Sequence, residues 1–145
     1  MYSKLADINK VIDGLSLDDW NRLFYLIPEI EKTNDFIKSG GLVDDPDDPD
    51  GFIITPVTEK KIVWDVVGTL NDLNLLIDFN WPAWDEGRML ANNQNFVNKD
   101  TVTLLKLISA FIRNNRFCDG ALAEKFEDRS MEKILKQIKK NIETP

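Results

Sequence analysis

Arg113 and Arg116 stand three residues apart in "IRNNRFCDGALAEKFED", close to Asp119, and Lys106 lies seven residues before the first of them. On a continuous helix the three cations share one face, and guanidinium forks grip a phosphate or carboxylate through paired hydrogen bonds. A second stretch, "DFNWPAWDEGR", sets Phe79, Trp81 and Trp84 beside Asp78, Asp85, Glu86 and Arg88. Its indoles offer flat apolar faces with one polar handle. Asp85 or Glu86 could act as general base toward an anionic substrate held by Arg113 and Arg116. Each residue also has a structural use. Arginines in a last helical turn satisfy free carbonyls and the macrodipole, worth about 0.3–1 kcal/mol; tryptophans anchor cores; and the acids can pair with Arg88, Arg113 or Arg116.

The other conspicuous stretch is "VDDPDDPDGF", with aspartates at 44, 45, 47, 48 and 50. A helix-loop-helix calcium site needs oxygen ligands at loop positions 1, 3, 5 and 12 and glycine at 6. With Gly51 at position 6, Asp48 and Asp50 fall at 3 and 5, but position 1 is Pro46 and position 12 is Val57. A looser set of Asp44, Asp47 and Asp50 has no spacing that enforces a geometry, and both prolines stiffen it. The expectation is an acidic surface loop over 44–51 that discourages edge-to-edge association, with no metal bound.

Histidine is absent. That removes the usual Ser-His-Asp and Cys-His nucleophiles, histidine zinc ligands and the commonest general base near neutral pH. Cys118 is the single cysteine; it excludes an intrachain disulfide, suits a reducing compartment, and without a neighbouring histidine is expected to be a buried, inert thiol. No cofactor is expected.

The net charge of -7 is mostly local: setting aside the five aspartates of 44–50 leaves 20 acids against 18 bases. A sequence pI near 4.6 argues against a phosphate-backbone binder, which needs clustered cations to release counterions. No apolar run reaches the roughly 18–20 residues of a membrane span, and "MYSKLADINK" is not a signal peptide. A cytoplasmic protein is expected. At 145 residues, 43% hydrophobic and 30% charged, the chain is sized for one domain, 1–145, with one core.

Periodicity then supplies the scaffold. "SKLADINKVIDG" reads as a short helix under a Ser3 cap, and "LSLDDWNRLFYLIPEIEK" as a second under Ser16, ended or kinked at Pro28 and resumed beyond it. "GLV" and "FIITPV" read as a small hairpin around the acidic loop. "TEKKIVWDVVGTLNDLNLL" favours helix, with strand open because of its β-branched content. Only a turn or so of helix is expected near Ala83. "KDTVTLLKLISAFIRNNRF", capped by Asp100, is the most apolar helix and belongs at the centre of the core. "GALAEKFED" and "SMEKILKQIKKNI", the latter under Ser130, complete the chain. The fold class is mainly α: a compact single-domain bundle of about five to seven helices with a minor two-stranded hairpin.

In the tryptophan and arginine segments the chain resembles a bacterial family of uncharacterised domains with a segment of the type F-D-W-x-x-W-x-E-G before one of the type T-L-L…R-x-x-R-F-x-E-G-x-L. The resemblance covers roughly Trp20 to Ile138. Asn80 stands where the pattern has Asp, removing a carboxylate, and Asp119 stands where it has Glu. The matching positions are Trp81, Trp84, Glu86, Gly87, Arg113, Arg116, Phe117, Asp119 and Gly120. What the resemblance implies is a bacterial cytosolic helical domain; it carries no assigned activity.

Two functions are compatible with these residues. One is a noncatalytic module that binds a protein or a small anionic ligand through a tryptophan-arginine surface built from Trp81, Trp84, Asp85, Glu86, Arg88, Arg113, Arg116 and Asp119; Trp and Arg are favoured at interfaces. It predicts an exposed apolar patch rimmed by charge, or a homodimer through that patch. The alternative is a small histidine-free enzyme with Asp85 or Glu86 as base and Arg113 and Arg116 on the substrate.

Overall fold

The computed structural model describes residues 2–145. The chain enters through β1 (Ser3–Lys4), a 3-10 turn at Leu5–Asp7 and α1 (Ile8–Gly14). Ser3 does not cap that helix. Its N–H donates to the Leu76 carbonyl at 2.7 Å and its hydroxyl to the Asn74 carbonyl at 2.7 Å, so a distant strand takes the donors a local cap would have used. Ser16 behaves as its type predicts: it accepts from the Asp19 N–H at 3.1 Å while the Asp19 carboxylate accepts from the Ser16 N–H at 3.0 Å. This reciprocal cap begins α2 (Leu17–Phe24), and Pro28 falls in the first turn of α3 (Ile27–Lys32), where a missing N–H costs nothing.

The hairpin is longer than its apolar fragments suggest. β2 (Ile37–Asp45) pairs antiparallel with β3 (Asp48–Glu59), in a register that sets Leu42 against Ile54 and Asp45 against Asp48. The acidic segment is therefore not an open loop: only Pro46 and Asp47 turn, Asp44 and Asp45 pair with Phe52 and Asp48, and a register shift between these two pairs leaves 49–51 bulged on β3. Asp45 accepts from the Asp47 N–H at 2.9 Å and Asp48 from the Asp50 N–H at 3.1 Å, so the turn is satisfied by its own carboxylates. Nearer the root, Gly40 has φ +97° and a Cβ there would sit 2.0 Å from the Pro56 carbonyl oxygen, which makes glycine obligatory at this bulge.

α4 (Lys61–Asp72) resolves the helix-or-strand question for this segment in favour of helix, because Ile62, Val63, Val66 and Leu70 bury one face. The helical stretch stops short of Leu76: Asn74 turns at φ 59°, and Leu75 and Leu76 run buried into β4 (Ile77–Asp78), parallel to β1. A 3-10 turn at Trp81–Ala83 leads into α5 (Asp85–Asn93). The sequence expectation there was a turn or so of helix; the helix runs on to Asn93 and ends where Gln94 takes a left-handed conformation.

α6 (Thr101–Asn114) lies at the centre, with Leu104, Leu105, Leu107 and Ile108 no more than 1% exposed, packed against α5, β4, α7 (Ala121–Glu127) and α8 (Ser130–Glu143). Its Asp100 cap accepts from the Thr103 N–H at 3.2 Å and hydroxyl at 2.6 Å. Burial pushes the Asp100 carboxyl up, but these donors outweigh it and hold the group below its ordinary value. Within the core, the Ser109 hydroxyl accepts from the Ile77 N–H at 2.9 Å and donates to the Leu105 carbonyl at 2.8 Å, tying β4 to α6. Ser109→Ala would strand a buried N–H and is expected to lower stability by about 1–2 kcal/mol; a thermal melt unchanged from wild type would refute that tie.

The start of α8 departs from expectation. Ser130 is its first residue, not its cap; Asp128 accepts the Ser130 N–H at 2.8 Å. Between them Arg129, at φ 70°, turns its guanidinium back onto α3. It donates to the Ile30 carbonyl at 2.9 Å, the Thr33 carbonyl at 2.8 Å and Asn34 Oδ1 at 3.1 Å, and lies 3.3 Å from Glu132. One side chain thus satisfies the end of a helix nearly a hundred residues earlier.

Candidate functional site

Trp84 is held from three sides. Phe79 meets its indole edge-on with centroids 5.5 Å apart, and Lys106 Nζ stands 4.2 Å from the ring centre, over the π face that attracts a cation. Beneath it is Gly87, in the first turn of α5: a Cβ at that position would lie 2.2 Å from Trp84 Cε3. The glycine lets the indole lie directly on the helix backbone, and this is the physical content of the spacing W-x-x-G.

The indoles of Trp81 and Trp84 form one wall of a groove of about 370 Å³ between the Trp81–Ala83 turn, α5 and α6, reached also by Lys125 of α7. The apolar residues Ala91, Leu107, Ala110 and Phe111 and the polar residues Arg88, Asn92, Asn114 and Lys125 complete its lining. No carboxylate lines it. Arg88 donates to the Pro82 carbonyl and lies 3.9 Å from Asp85; Lys125 sits 5.0 Å over the Phe111 ring and 3.9 Å from Asp128. Each cation is held by two contacts, of which the ion pair is long at 3.9 Å, so N–H groups remain for a further partner.

Of the residues singled out in the sequence, Trp81, Trp84 and Arg88 meet in this groove. Asp85 and Glu86 are exposed and outside its lining. Arg113 turns elsewhere: it is 3.7 Å from Asp78 and stacks on the Tyr2 ring at 5.1 Å, where burial pushes the phenol pKa up while Arg113 and Arg116 pull it back. Arg116 lies past the end of α6 and is exposed, so it does not continue a common face with Arg113 and Lys106. Asp119 accepts from the Val57 N–H at 2.7 Å and latches the hairpin to the corner after α6. Cys118, expected buried, is exposed on that same corner, because the helix ends at Asn114 and the turn faces outward.

Lys125, Asn92 and Asn114 were missed. Their available signal was weak: Leu107, Ala110, Phe111 and Asn114 follow helical spacing along one face of α6, with a small residue in the middle where a groove needs room. Nothing local in the sequence aims Lys125 at that face.

Among the described residues no three Asp, Glu or Cys side chains gather as a metal site would require, and no helix is long and apolar enough to cross a membrane. No curated protein and no solved structure matches the chain. One family profile does, described as a family of unknown function (DUF6508) and matching residues 15–144, a span that holds the groove and the whole helical core. With nearly its full length matched, this chain belongs to that family of unknown function.

Proposed function

We propose that the protein is a noncatalytic binding module whose groove takes a small anionic ligand with an apolar body. The observation that carries this reading is the lining itself: two cations, two amides and two indoles with no carboxylate, in a chain of net charge -7. A ligand's flat apolar part would lie against Trp81 and the margins of Trp84, whose faces Gly87 and Lys106 occupy, and its anion would meet Arg88 and Lys125. The enzyme alternative has less support, since Asp85 and Glu86 stand outside the groove and Arg113 is engaged with Asp78 and Tyr2. An exposed, unbridged Cys118 suits a reducing compartment, and with the sequence resemblance this supports a bacterial, cytoplasmic setting.

The probe is 2-naphthoate, with 2-naphthamide as neutral control, followed by tryptophan fluorescence and calorimetry. Naphthoate is expected to bind and the amide to bind more weakly. Arg88→Ala removes a charge-assisted bond and is expected to weaken naphthoate by about 10- to 100-fold with an unchanged melt. Equal affinity for acid and amide, or an Arg88→Ala protein that binds as wild type, would end this reading.

A further inference from the structure

We infer that the hairpin arm formed by β2 and β3 docks in the tryptophan-arginine groove of a second copy of this chain, giving a two-fold dimer by reciprocal arm exchange. The inference rests on the reading of the groove as a receptor for an anion joined to an apolar body, and it names the occupant.

The arm carries an uncovered apolar face. Leu42, Phe52 and Ile54 are 68%, 64% and 85% exposed. The register pairs Leu42 with Ile54 and Asp44 with Phe52, and residues two apart along a strand share a face, so all three apolar side chains point the same way. Such a stripe on a two-stranded sheet with unpaired edges is a contact surface rather than ordinary solvated backbone. Its chemistry narrows what can cover it. On that face Phe52 stands opposite Asp44, and the acidic turn of Asp45, Asp47 and Asp48 lies just beyond it, so the arm presents an aromatic ring beside carboxylates. An anionic membrane surface would repel this tip, and so would most of an acidic protein.

The groove is the complementary surface on the same chain. It offers Trp81, Trp84 and Phe111 to a ring and Arg88 and Lys125 to the carboxylates of the tip, with no acid in its lining and only the 3.9 Å pairings to Asp85 and Asp128 to compete. A second depression, along the lysines of α8, fits less well because the one aromatic side chain in its lining, Phe96, is buried and offers a ring no indole to lie on. The arm does not fill its own groove: Phe52 stays exposed, and the root is held at the corner after α6 by the Val57–Asp119 hydrogen bond. Exchange about a two-fold axis makes the contact twice and closes the assembly at two copies.

Sedimentation velocity over a concentration series tests this, with naphthoate titrated in parallel. Wild type is expected to form dimers that 2-naphthoate dissociates. Phe52→Ser with Ile54→Ser, both at exposed positions, and separately Arg88→Glu with Lys125→Glu, are each expected to weaken dimerisation by about tenfold or more with melts near wild type. Mixing Arg88→Glu/Lys125→Glu with Asp44→Lys/Asp47→Lys is expected to restore a heterodimer that neither protein forms alone, because each arm then meets a groove of opposite charge. A chain that stays monomeric yet binds naphthoate overturns the inference and leaves the groove reading standing. Loss of naphthoate binding and dimer together in wild type removes both. A dimer indifferent to these substitutions, or growth beyond dimers, overturns the exchange.

Discussion

Arg129→Ala is expected to lower the free energy of unfolding by about 2–3 kcal/mol and the melting temperature by roughly 5–10 °C. The guanidinium satisfies the Ile30 and Thr33 carbonyls and Asn34 at the end of α3 while lying close to Glu132, so truncation strands several acceptors at once. Two further substitutions separate the side chain from its backbone. Arg129→Lys keeps the charge but cannot reach three acceptors with a planar fork, and should recover less than half of the loss. Arg129→Gly loses the same contacts yet relieves the left-handed backbone at φ 70°, and should be about 1 kcal/mol less destabilising than Arg129→Ala. Urea melts measure all three. An Arg129→Ala protein within a few tenths of a kcal/mol of wild type would show that the clamp is ornamental.

The second large effect is expected at Gly87. Adding a methyl group there drives a Cβ to 2.2 Å from Trp84 Cε3, so the indole must leave α5. Displacement breaks the edge contact with Phe79 and the position of Lys106 over the ring, and reshapes the groove wall. Gly87→Ala should cost about 1–3 kcal/mol through overpacking, and naphthoate affinity should fall with it. The sign should reverse without the tryptophan: in a Trp84→Ala background, Gly87→Ala gains helix propensity of about 1 kcal/mol and should stabilise. The resulting double-mutant coupling isolates the seating of the indole from the intrinsic preference of the helix. If Gly87→Ala stabilises the protein with Trp84 in place, the ring is not where the glycine contact puts it.

How far each feature could be read from the chain depended on the range of the interaction behind it. The reciprocal Ser16–Asp19 cap, the Asp100 cap and the apolar faces of α6 and α8 involve residues within a few positions of one another, and side-chain type and spacing are enough to specify them. Ser3 and Ser130 carried the same local signal and do other work. Ser3 is drawn into a strand by Leu76 and Asn74, partners more than seventy residues away, and Ser130 gives way to a carboxylate two residues earlier. The acidic segment departs from its sequence expectation for a related reason: aspartate and proline are poor strand formers, but the ladder through Leu42 and Ile54 extends into the arm as far as Asp45 and Asp48.

By itself, then, the amino-acid order settled a mainly helical fold, which helix is most deeply buried, and the absence of histidine-based chemistry, because these follow from composition and from contacts between near neighbours. The extent of α5 and the helical state of α4 came only with packing. Tertiary structure alone decided which charged groups share a site. Arg88 and Lys125 reach one groove, Arg113 turns to Asp78 and Tyr2, Asp119 holds the hairpin, and Arg129 closes a helix far upstream. A long charged side chain can serve any acceptor within its reach, and only the packed arrangement of helices determines which acceptors those are.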